Sequence, residues 1–185
     1  MSEKMGILDI ADRLDREQEG RDEALETSET WVSFSVGGLG FALPVSHLRG
    51  AHRVAHITAV PRAPKGLRGL SNLRGRARPV LDLGSHLDIG EVEISDLSRI
   101  LEVELQGRTL GLLVERAEHL TKILPSTIKP LDDAIGPEIV RRSKGTCEVR
   151  DGYVILLDPS RLLTEETRGT EETEETGDLD DHEDS

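Results

Sequence analysis

A hairpin pattern that occurs twice at one spacing constrains this chain more than any other feature. Val32, Phe34 and Val36 alternate with Ser33 and Ser35, Gly37-Gly38-Leu39-Gly40 follows, and Phe41, Leu43 and Val45 resume the alternation. Further on, Leu101, Val103 and Leu105 alternate with Glu102 and Glu104, Gln106-Gly107-Arg108 turns the chain, and Leu110-Gly-Leu-Leu-Val114 returns. At a constant offset of 69 residues Phe34 falls on Val103, Gly38 on Gly107, Phe41 on Leu110 and Val45 on Val114. Period-two alternation puts one face of a strand in a core, and glycines supply the positive φ that tight hairpin turns need. Each half then closes on a similar apolar strand ending in aspartate, Pro79-Val-Leu-Asp82 and Ile155-Leu-Leu-Asp158. A third hairpin is expected from Cys147 and Val149 through Asp151-Gly152 into Tyr153-Val-Ile-Leu-Leu157. Two related β subdomains follow, small barrels or sandwiches, each about 65 residues and too marginal alone to do without a shared core.

Elsewhere the pattern is weaker. Val60-Pro-Arg-Ala-Pro64 reads as extended, because proline restricts both itself and its predecessor. One helical turn is expected near Pro137-Glu-Ile-Val140. A short final helix is expected over Pro159-Ser-Arg-Leu-Leu163, with Asp158 as its cap. Near the start, Ile7, Ile10, Ala11 and Leu14 recur at helical spacing, so residues 5–18 suit a short amphipathic helix. The organisation expected is an acidic extension (1–29), a β domain (30–163) and a disordered acidic tail (164–185).

Charge is distributed unevenly along these parts. Residues 1–30 hold 4 basic and 10 acidic side chains, and residues 164–185 hold 1 and 11, whereas residues 31–163 hold 18 and 15. Between Trp31 and Leu81 lie Arg49, Arg53, Arg62, Lys65, Arg68, Arg74, Arg76 and Arg78, with no acid among them. Positive charge concentrated in this way faces a partner. Nucleic acid is one candidate, through phosphate contacts from residues 49–78. Against it, Trp31, Phe34, Phe41 and Tyr153 are the chain's four aromatics, and all lie in expected strands, leaving no stacking platform. A protein-docking face, with arginines around an apolar centre, is the better reading.

Catalytic and metal chemistry find little support. His47, His52 and His56 have no acid or cysteine nearby to complete a ligand set, and Cys147 has no adjacent histidine to activate it. Glu118 with His119, or Asp132 with Asp133, lack a nucleophile or oxyanion donor beside them. Neither cofactor nor metal is expected. A lone cysteine and the absence of a long apolar run fit a cytoplasmic chain with no direct membrane insertion.

The segment Lys65-Gly-Leu-Arg-Gly-Leu-Ser-Asn72-Leu-Arg-Gly75, followed by Pro79-Val-Leu-Asp-Leu83, resembles the hallmark of the CheW family of chemotaxis coupling proteins. The likeness extends over about residues 30–163. It takes in Phe41-Ala-Leu-Pro-Val45, Gly111-Leu-Leu-Val-Glu115 and Val154-Ile-Leu-Leu-Asp-Pro-Ser-Arg-Leu-Leu163. It implies an all-β fold of two five-stranded SH3-like barrels packed together. It also implies a non-catalytic adaptor that bridges chemoreceptor tips to a CheA-type histidine kinase, recruited to membrane-bound receptor arrays. By position in the motif, Leu48, Gly69, Asn72 and Arg74 would lie at or support the docking surfaces. The chain departs from the family pattern at Gly50-Ala51, where Glu and a bulky aliphatic are usual, and at Gly84, where a basic residue is common.

Overall fold

Each repeated hairpin forms where the alternation places it. Strands β1 (Glu29–Val36) and β2 (Leu39–Pro44) pair across Gly37-Gly38, and β7 (Arg99–Leu105) and β8 (Arg108–Val114) pair across Gln106-Gly107. All four turn residues have positive φ, the two-residue geometry that matches the twist of paired strands. The remaining strands are β3 (Leu48–Arg53), β4 (Ile57–Thr58), β5 (Leu67–Leu73), β6 (Arg76–Asp82), β9 (Arg116–Ile123), β10 (Ser143–Val149) and β11 (Gly152–Leu157). The structure, a computed structural model, describes residues 27–163; the expected helix at 5–18 and the acidic tail lie outside them.

Two mixed sheets replace the expected pair of five-stranded SH3-like barrels. One has five strands in the order β10-β11-β2-β1-β9, the other six in the order β3-β7-β8-β6-β5-β4, and neither closes into a barrel. Alternation reports which face of a strand is buried, and a tight turn fixes its neighbour in sequence. Neither says whether the outermost strands meet. Here the edges carry charge, Arg49 and Arg53 on β3 and Arg116 and Lys122 on β9, which disfavours pairing along them.

Nor does either sheet correspond to one half of the sequence. β2 pairs in parallel with β11, and β8 pairs in parallel with β6, so each repeated hairpin joins the closing strand of the other half. The registers obey the repeat. Val80 faces Gly111 and Leu156 faces Ala42, which are the same pair once the halves are exchanged. Likewise Leu48 faces Val103, and Ala117 faces Phe34. The equivalence reaches Gly69 and Gly145, each just past a register shift, with φ of +148° and +151°. A Cβ would stand 2.2 Å from the Thr58 carbonyl oxygen at Gly69, and 2.4 Å from that of Lys129 at Gly145. Both sites therefore require glycine, and a side chain at either would cost on the order of 3 kcal/mol.

One core runs between the sheets. Phe34 and Phe41 sit opposite each other with ring centroids 6.2 Å apart, and Leu43, Leu101, Leu112 and Leu157 pack around them fully buried. Trp31 belongs to a smaller cluster with Cys147, Ile123 and Leu156. Tyr153 departs from expectation, standing 62% exposed. Two local readings also fail. Val60–Ala63 is a turn closed by the Ala63 N–H on the Val60 carbonyl, with Arg62 at φ 57°; proline at its second position serves a turn as well as an extended segment. After Asp158 the described residues form a turn instead of a helix, although Asp158 does cap it by accepting from the Ser160 N–H at 3.0 Å. Helical turns occur at Leu83–His86, where Asp82 accepts from the Ser85 N–H, and at Pro137–Arg141.

His86 ties the end of the described chain to this core. Its Nε2–H donates to the Leu162 carbonyl at 2.5 Å, and the Arg142 Nε lies 3.1 Å from the same nitrogen. Burial, reinforced by the Arg142 charge, lowers its pKa below the ordinary 6.5 and outweighs the opposing Leu162 hydrogen bond. A histidine with a lowered native pKa binds fewer protons folded than unfolded. Its contribution is complete above about pH 6.5 and is lost as the pH falls below it. Thermal unfolding followed from about pH 7 to about pH 5 should show a falling midpoint, with a shallower fall in His86→Gln. An unchanged slope in that variant would remove His86 from the account.

Candidate docking site at the seam of the six-stranded sheet

Leu73-Arg74-Gly75-Arg76 makes the β5–β6 hairpin turn, a feature that period-two alternation had not revealed because the segment is basic instead of apolar. Arg74 and Gly75 occupy the two central positions with φ of 53° and 82°. The Asn72 Oδ1 accepts the Gly75 N–H at 2.8 Å, so the asparagine staples the turn from inside. Arg74 is thus held in the left-handed region, where a non-glycine residue is uncommon, and its side chain is aimed across the open side of the sheet.

On that side lies β3. The Arg74 Nη2 donates to the Arg49 carbonyl at 2.9 Å, and its Nε lies 3.6 Å from the Glu102 Oε2 on β7. No backbone ladder joins β3 to β5, so this arginine bridges the seam that a barrel would have closed. It passes close over Gly50, where a Cβ would stand 2.7 Å from the Arg74 Nη2, so a side chain there would require the flexible end of the arginine to shift.

The seam is a charged cluster with one buried acid. The Glu102 side chain is only 8% exposed and takes the His52 Nε2 at 3.0 Å as its second partner. Burying a carboxylate is costly unless cations and donors surround it. Next to it, Arg49 directs Nε and Nη2 onto the Glu104 Oε2 at 3.0 and 2.8 Å, and the His47 Nδ1 lies 2.9 Å from the Glu104 carbonyl oxygen. His47 and His52 are therefore parts of this network. Among the described residues no group of three His, Cys, Asp or Glu could hold a metal. Nor does the basic segment have a base-stacking platform: Trp31, Phe34 and Phe41 are buried, and Tyr153 stands on the other sheet.

Of the residues singled out in the sequence, three come together. Leu48 is half-buried at the start of β3, beside the Arg49 carbonyl that Arg74 holds, and Asn72 is exposed at the turn. Gly69 lies apart, buried in β5 against β4, where it shapes the sheet. Gly50 had been noted only as a departure from the family pattern and His52 only as a rejected metal ligand, and Glu102 had been given no role. Glu102 read in the sequence, like Glu104, as the polar side of an alternating strand, so its burial gave no signal there.

At the equivalent seam of the five-stranded sheet the repeat gives a different result. His119 occupies the position of Gly50 and Arg150 that of Arg74. A groove of about 780 Å³ opens there between β9 and the β10–β11 hairpin, with the His119 Nε2 3.4 Å from the Asp151 Oδ2 on its lining.

If Arg74 serves Glu102, the two should be coupled energetically. Arg74→Ala should cost about 1 kcal/mol in denaturant unfolding of the natural chain and close to nothing in a Glu102→Gln background. Equal costs in both backgrounds would show that the arginine does not support the buried carboxylate.

Comparison with known proteins places the chain in a family. Residues 30–167 match the family described as CheW-like domain. The chain is similar to the chemotaxis protein CheW of Bacillus subtilis, with 24% identity over 77% of this chain and 92% of the relative. It is 26% identical to CheW of Thermotoga maritima over 78% of this chain and 93% of the relative. Among solved structures, the scaffolding protein TtCheW from Thermoanaerobacter tengcongensis superposes with a TM-score of 0.66 and 27% identity, covering 75% of this chain and 89% of that one. With most of its length matched and two open sheets standing where that family's fold was expected, the chain belongs to the CheW-like family and is a non-catalytic adaptor of chemotaxis signalling.

Proposed function

We propose that this protein couples the cytoplasmic tips of chemoreceptors to a CheA-type histidine kinase, working in the cytoplasm and holding both by contact alone. Leu48, Asn72 and Arg74 meet the partner, and Gly69 keeps the strand behind them in place. The observation that carries this reading is the convergence of a half-buried leucine, an exposed turn asparagine and an arginine 62% exposed at one seam, within a chain of this family. The Arg74 guanidinium commits its Nη2 and Nε inward, to Arg49 and Glu102, and leaves Nη1 for an acceptor on a partner. Its two tethers remove much of the rotamer freedom that an arginine ordinarily loses on docking, which lowers the entropic cost of each contact. Individually weak contacts to receptor and kinase would then act together in an array, where each bound partner raises the local concentration of the other. Among the described residues no helix is long and apolar enough to cross a membrane.

The test is reconstitution of the chain with a chemoreceptor and its kinase, following stimulus-controlled kinase phosphorylation. Arg74→Ala should abolish coupling while retaining the strand signature in circular dichroism. Normal stimulus control in that variant would refute the assignment of Arg74 as the docking residue.

A further inference from the structure

Four arginines of the basic segment stay unneutralised within the described fold. Arg49, Lys65, Arg68 and Arg74 each reach an acid: Glu104, Asp88, Asp82 with Glu91, and Glu102 respectively. Arg53, Arg62, Arg76 and Arg78 reach none among the described residues, and the Arg78 Nε is buried without a hydrogen-bond partner. Arg76 and Arg78 lie on β6 beside the Arg74 turn, while Arg62 lies in the loop that leads into β5. Positive charge left over in this way, on a chain of net charge −13, calls for an acidic counterpart.

The chain itself carries one, and the fold delivers it to this surface. Residues 164–185 hold eleven acids against one arginine, a net of −10, with Glu-Glu-Thr occurring repeatedly. The last described residues, Leu162 and Leu163, are buried, and the Leu162 carbonyl takes the His86 Nε2–H. His86 in turn lies against Gly66, one residue from the start of β5; a Cβ built on Gly66 would be 3.2 Å from the His86 Cβ. The tail therefore leaves the core beside the foot of the basic hairpin. Its 22 residues can extend up to about 75 Å, several times the length of β5 or β6. A tethered segment acts at an effective concentration in the millimolar range, enough for weak ion pairs to hold it.

We propose that the acidic segment 164–185 docks in cis on the β5–β6 hairpin, neutralising Arg76, Arg78 and Arg62 and covering the Arg74 turn. An acidic partner surface must then displace the tail before it can reach the seam. That consequence rests on the function proposed above; the docking does not. The contact is electrostatic and between largely exposed groups, so it weakens as salt shortens the screening length to about 3 Å at 1 M.

Docking is read with a nitroxide at Ser185→Cys in a Cys147→Ala background of the full chain. Amides of residues 74–78 and 62 should broaden at about 20 mM NaCl and recover at about 1 M. They should also recover when the eleven tail acids are changed to Gln or Asn. Because the Cys147 thiol is part of the core, the same neutralisation is also read without a label in chains that keep it. Amide shifts between the natural and neutralised full chains should concentrate at residues 62 and 74–78. As a competition probe, a deca-glutamate peptide should bind the neutralised chain about tenfold more tightly than the natural one. Absence of broadening at the hairpin, or broadening that survives neutralisation, would overturn the proposal. So would broadening that appears on unlabelled chains mixed with labelled ones, which would make a second copy the occupant. Broadening from a label at Ser2→Cys alone would assign the surface to the N-terminal acidic segment and equally overturn it. Loss of receptor coupling with docking intact would count against the function and leave the docking standing.

Discussion

Parallel pairing between each closing strand and the hairpin of the other half holds the rest of this structure in place. β11 reaches β2 and β6 reaches β8, so neither half contains a complete sheet. A half of about 65 residues buries too little apolar surface to stand alone, and the exchange makes the core common property of both. Phe34 and Phe41 from one hairpin therefore pack in the same cluster as Leu101 and Leu112 from the other. The docking seam inherits its position from this arrangement. β7 places Glu102 under β3, and the β5–β6 turn arrives at the same point only because β6 pairs with β8.

The two sheets use one plan to different ends. In the six-stranded sheet the Arg74 guanidinium passes over a glycine at residue 50, bridges the opening and binds a buried acid. In the five-stranded sheet His119 stands in that place, no arginine crosses, and a groove is left open. The two seams thus differ in the side chains at equivalent positions, while the strands around them keep their register.

Much of the fold could be read from the residues, and the limits have physical causes. Phe34, Phe41, Val103 and Leu110 announced their strands because alternation marks a buried face and two-residue turns mark the joins. The parallel ladders and the open edges were not legible, since both depend on residues far apart in sequence. Tyr153 was misplaced because an aromatic in a strand is more often buried than exposed. At the site, Arg74 and Asn72 were visible through the family motif, and Leu48 through its position after β2. Gly50 was noted only as a departure from the family pattern, and Glu102 was not singled out, because their contacts come from where Arg74 points, a matter of φ at a turn. Gly69 was noticed through the same motif, and the structure gives it a place inside the sheet.

An adaptor that acts by contact should reveal its contacts directly. The decisive measurement is a titration of the isotopically labelled full chain with a helical receptor-tip fragment and, separately, with a kinase regulatory domain, following backbone amide shifts. Perturbations centred on residues 48–52 and 72–76 with at least one of the two are what this account requires. Shifts confined to the five-stranded sheet with both partners, or no saturable shifts at all, would contradict it.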